Sequence, residues 1–123
     1  MAAFFMFILE LLLLIILVYL THEAGHALAI ALTGAGRLKG VVFNLTGVGL
    51  RWEQSDFTAW KLLIVALAGP AANILAGLMA ILAGLPVVFT VCQFVFGLVN
   101  LVFAWVPAAD GAKVLHYFKT SKK

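Results

Sequence analysis

Three long stretches of the chain carry almost no polar residues, and the segments between and after them hold nearly all of the charge. The first covers residues 4–32, opening FFMFILELLLLIILVYL and staying largely apolar from Ala24 to Leu32. As a helix it would extend roughly 43 Å, at about 1.5 Å per residue, against a hydrocarbon core of about 30 Å. It must therefore tilt or let one end protrude, with Glu10 expected near the outer end. The second stretch, 58–83, is broken near its middle by Gly69 and Pro70, which predicts a kink. Gly84, Leu85 and Pro86 form a turn, and the third stretch, 87–106, ends at Pro107 and the polar pair Asp110 and Gly111. Residues 33–57 differ in kind, with five glycines, interleaved β-branched residues and much of the charge. Short strands are expected at 41–43 and 48–52, with turn chemistry at 44–47, giving a β-hairpin within a β region of about 37–56. A short basic tail occupies 112–123. The pattern predicts an all-α membrane protein: three transmembrane helices, a short membrane-associated β-hairpin between helices 1 and 2, and a single domain over 1–123.

Composition supports this reading. Of 123 residues, 65% are apolar and only 11% charged, and the mean hydropathy is +1.16. A soluble domain carries about 25% charged residues, and a disordered chain is poor in the aliphatic and aromatic residues that abound here. The lone cysteine, Cys92, closes no disulfide within the chain. The N-terminal run is read as a mature helix rather than a signal peptide, because no Lys or Arg precedes it and its apolar length exceeds a signal's core.

The net charge of +3 and pI near 9.3 do not indicate nucleic acid, since no basic stripe with interleaved aromatics occurs. The charge reads instead as a topology signal. Arg37, Lys39, Arg51 and Lys61 follow the first span, and Lys113, Lys119, Lys122 and Lys123 follow the third. With three spans, all of them fall on one side. That side is expected to be cytoplasmic and the N-terminus outside.

Candidate chemistry lies at Thr21-His22-Glu23-Ala24-Gly25-His26. Histidines at i and i+4 share one helical face and can bind one metal ion, while the glutamate between them can act on a water at that ion. A carboxylate there takes a proton during attack on a carbonyl and returns it to the leaving amine. Ionisable residues inside a membrane helix are costly, so a functional reading comes first. A polar clamp between helices or a metal-transport site are the rival readings. A haem is a poor one, since both histidines lie on one side of one helix.

Zinc would need a third protein ligand. Glu10 lies about 18 Å from His22 along the helix, too far for the same ion. Glu53 and Asp56 belong to the polar connection and are expected to be solvated. Asp110 follows the third span, which returns to the side that carries HEAGH, and is the favoured donor; His116, in the basic tail, is its rival.

With these residues in place, the chain resembles the site-2 proteases, intramembrane zinc metalloproteases. The family's HExxH is matched by His22 to His26, its Gly-Pro-x-x-Asn by Gly69, Pro70 and Asn73, and its Asp-Gly by Asp110 and Gly111. The resemblance implies Zn2+ held by His22, His26 and Asp110, with Glu23 as general base and acid. It also implies that Asn73, with Gly69 and Pro70, supports the site or binds substrate, and that the segment near 40–51 resembles a β region able to pair with an unwound substrate. The expected partners are a transmembrane protein substrate and the lipid bilayer, with a homo-oligomer or partner subunit as a further option. The family's Asn-x-x-Pro is not reproduced, since Asn100 stands ten residues before Asp110 and Ala109 replaces a leucine. The expected activity is hydrolysis of a peptide bond in or near a transmembrane segment. The competing expectation is a catalytically inactive homologue that binds metal or a membrane partner.

Overall fold

A computed structural model describes residues 1–44, 47–55 and 58–102. Within them the chain forms α1 (Ala2–Thr33), a hairpin of β1 (Gly36–Asn44) and β2 (Gly47–Gln54), α2 (Ala59–Leu82) and α3 (Val87–Val102). The order matches the hydropathy pattern. α1 and α2 are long and apolar enough to cross a membrane by length and composition, and α3 is a shorter apolar helix.

The first helix is 32 residues long and ends where Gly34 turns left-handed at φ 64°, its N–H donating to the Ile30 carbonyl at 3.1 Å. A side chain there would strain the backbone, so glycine fits this stop. The strands are longer than the 41–43 and 48–52 expected from sequence. They run antiparallel with Val41 opposite Leu50 and Asn44 opposite Gly47, and an irregularity between Leu38 and Gly40 sets Lys39 out of register. Ser55 N–H donates to the Ala35 carbonyl at 3.0 Å and closes the base of the hairpin.

α2 runs as one helix through Pro70, in line with the single span expected over 58–83. Proline removes one backbone donor, that for the Ala66 carbonyl, but the tertiary contacts of α2 hold both flanking turns in place. The third helix is described as far as Val102, so the expected end at 106 lies outside the described residues, as do Asp56 and the tail.

The interior is unusual in what it buries. The largest fully enclosed side chains are Ile30, Gln93, Asn73 and Pro70, while most of the large aliphatic and aromatic residues of α1 face outward. The buried face of α2 is built from Val65, Ala66, Gly69, Pro70, Asn73, Gly77 and Ala80. Small residues let helix backbones approach, which is how packing compensates where surrounding lipid removes the hydrophobic drive. A modest apolar cluster of Ala29, Ile30, Ala35 and Val65, flanked by Trp52 and Ala68, ties the end of α1 to α2 and the hairpin.

Candidate metal centre

α1 and α2 pack antiparallel, and their backbones come close together beside HEAGH. A methyl group on Gly25 would overlap the Ala68 carbonyl and lie 2.7 Å from Cβ of Ala72. Gly25 thus sets the interhelical distance. A methyl group on Gly69 would overlap Nε2 of His26 and sit 2.8 Å from Cε1 of His22. The glycine before Pro70 is therefore the floor on which both imidazoles rest.

The two rings are held in specific poses. His26 Nδ1 lies 2.7 Å from the Val65 carbonyl, an acceptor, so Nδ1 carries the proton and Nε2 presents its lone pair. The two Nε2 atoms face each other at 3.2 Å. Ligands of one tetrahedral zinc at about 2.0–2.1 Å stand about 3.3 Å apart, so this pair fits such an ion with little adjustment. A backbone carbonyl behind a ligating histidine is the usual orienting contact, and Val65 supplies it. Phe96 of α3 adds its ring edge-on to His22, with centroids 5.2 Å apart, and both histidines are buried.

Glu23 is half-buried, and its Oε2 accepts the backbone N–H of Leu50 at 2.9 Å. That N–H points away from β1, although Leu50 pairs with Val41. The outer edge of β2, not that of β1, therefore faces the motif.

Asn73 is fully buried one turn beyond Gly69, and neither end of its amide has a hydrogen-bonding partner among the described residues. Each unmet buried polar atom costs about 1–3 kcal/mol. Asn100, by contrast, donates to the Phe96 carbonyl of its own helix at 3.1 Å. Glu53 forms an exposed pair with Lys39 at 2.7 Å, worth little in stability. Asp110 and His116, the two candidates for a third ligand, lie outside the described residues, as does Asp56. Among the described residues no third His, Cys, Asp or Glu joins the two histidines.

Sequence reasoning passed over Gln93. It is fully buried on α3, where Thr90, Gln93 and Gly97 make the buried face, and its Nε2 lies 3.4 Å from Thr21 Oγ1, next to His22 in sequence. The available signal was its position as the one amide in the first three turns of an otherwise apolar helix, seven residues before Asn100.

A family model described as Peptidase M50B-like matches residues 1–120 of the 123. The chain belongs to this family, the site-2 proteases. No curated protein matches the chain. Membership in the M50B-like family gives the HEAGH face, the Gly69 floor and the buried Asn73 a common context, that of metallopeptidases. The glycine of the Gly-Pro-x-x-Asn element is here the residue whose lack of a side chain admits the histidine pair.

Proposed function

We propose that this M50B-like chain is an intramembrane zinc metalloprotease that hydrolyses a peptide bond in or near a transmembrane segment of a protein substrate. The observation that carries the reading is the pair of Nε2 atoms at 3.2 Å, one of them aimed by the Val65 carbonyl. His22, His26 and Asp110 would hold the ion. Zinc, when bound, supplies Lewis acidity toward the scissile carbonyl and a hydrolytic water of lowered pKa. Glu23 acts as general base toward that attacking water and then as general acid toward the leaving amine. Val65 keeps the His26 tautomer, and Gly69 keeps the space both rings need.

A membrane-spanning substrate arrives as a helix, and its scissile segment must unwind to be cut. Its freed backbone groups then need partners. The outer edge of β2 offers them beside Glu23, through the backbone of Val48, Leu50 and Trp52, so an added strand would run past the motif. The chain would lie in the lipid bilayer with its N-terminus outside. The cations Arg37, Lys39, Arg51 and Lys61 gather at the histidine end of α1, which supports a cytoplasmic active-site end and C-terminus. A second copy or a partner subunit would cover part of the exposed apolar surface.

Glu23→Gln tests the reading. The variant keeps an oxygen for the Leu50 N–H yet removes the base, so cleavage of a panel of single-span substrates should fall about 100- to 10,000-fold with zinc content unchanged. Wild-type turnover in Glu23→Gln would end the proteolytic reading. A wild type that binds a membrane partner, cleaves nothing and is matched in binding by the variant would instead identify an inactive homologue.

A further inference from the structure

Asn73 and Gln93 bury uncharged amides on two different helices around one seam. The seam is tight: a methyl group on Gly97 would lie 3.0 Å from the Pro70 carbonyl and 3.3 Å from Cβ of Asn73. Gln93 stands one turn before Gly97 on the same buried face of α3 and reaches Thr21, the neighbour of His22. Both amides are 0% exposed. Thr21 donates its hydroxyl proton to the Leu17 carbonyl at 2.8 Å, so its oxygen can only accept from Gln93. Oε1 of Gln93 and both polar atoms of Asn73 have no hydrogen-bonding partner among the described residues.

A pair of amides offers donors and acceptors without charge, which suits a neutral, dipolar ligand rather than an ion. Complete enclosure limits that ligand to a very small one. Water meets both conditions, and a buried water typically makes about three hydrogen bonds to groups otherwise unmet. Peptide hydrolysis in an apolar surrounding also consumes one water per bond, its hydroxyl joining the carbonyl carbon and its remaining proton going to the amine. We propose that Asn73 and Gln93 together bind water in the three-helix seam beside His22 and supply it to the metal position. The supply role rests on the proteolytic reading, whereas the water site does not.

The chain has two glutamines, Gln54 and Gln93, so protein labelled with nitrogen-15 at glutamine gives two side-chain amide signals by NMR, and Gln93→Met identifies one by deleting it. In vesicles or micelles the Gln93 amide should show a cross-peak to water despite its burial. An amide with no water cross-peak and protons that persist for hours in deuterated solvent overturns the proposal. Gln93→Met should lower kcat about tenfold with KM and zinc content unchanged, since the side chain that holds the water is lost while the histidine pair is untouched. Lower stability with unchanged kcat would assign Gln93 a purely structural tie to Thr21 and overturn the supply role. If the wild type shows the water cross-peak but cleaves no substrate, the proteolytic reading fails and the water site stands.

Discussion

The two halves of α1 are equally helical and are used in opposite ways. From Phe4 to Leu17 nearly every large side chain faces outward, whereas from Val18 to Ile30 the helix buries Val18, His22, His26, Ala29 and Ile30 against its neighbours. The outer half is specified by apolarity alone, and many sequences could serve there. The inner half is specified by shape and hydrogen bonding: Gly25 against Ala68 and Ala72, the imidazoles over Gly69, and Glu23 on the Leu50 N–H. Tolerance to substitution should follow the same division.

The sharpest way to break the comparison is Gly69→Ala, a change of one methyl group on α2. The new methyl would overlap His26 Nε2 and crowd His22, so the rings must turn away from each other or the helices must part. Zinc affinity should fall about 10- to 100-fold, as when orienting contacts behind a metal ligand are lost, and activity should fall with it. Zinc titration of the purified variant measures this. Unchanged affinity would mean the histidines do not depend on the α2 floor.

Leu50→Pro probes the hairpin's share of the inner half. Proline removes the N–H donated to Glu23 and is tolerated on an outward-facing edge, where no ladder bond is lost. The carboxylate then loses a charge-assisted contact, and kcat/KM should fall about tenfold while zinc content holds. A rise in turnover would show that Leu50 restrains Glu23 instead of aiming it.

Much of this division is legible in the sequence, and the gaps have physical causes. Hydropathy locates three helices and a hairpin because burial in an apolar medium demands long unbroken runs, and the i, i+4 spacing brings His22 and His26 together by helix geometry alone. The single helix across Pro70 is legible too, because the apolar run continues on both sides of the proline. Which hairpin edge meets Glu23 depends on how the hairpin packs against α1, a tertiary placement that periodicity does not reveal. Gln93 was overlooked because a single amide in an apolar run breaks no pattern, although its burial gives it weight. The roles of Asp110 and His116 depend on residues outside those described.

The smallest expected effect belongs to the outer half of α1, where Leu12 is 52% exposed. Removing three carbons there leaves no cavity in the protein, since lipid or detergent can close over the site, and no hydrogen bond is disturbed. Leu12→Ala should therefore change unfolding stability by less than about 0.5 kcal/mol and leave zinc content and turnover at wild-type values. Ile30→Ala supplies the internal contrast. Its side chain is 2% exposed within the cluster joining α1, α2 and the hairpin, and truncation there should cost about 2–5 kcal/mol. Thermal unfolding of both variants in the same detergent gives the comparison directly. A large loss at Leu12, especially one accompanied by a change in oligomeric state, would mean that the outer half is covered by a second copy or a partner subunit. The two halves of α1 would then both be packing surfaces, one within the chain and one between chains.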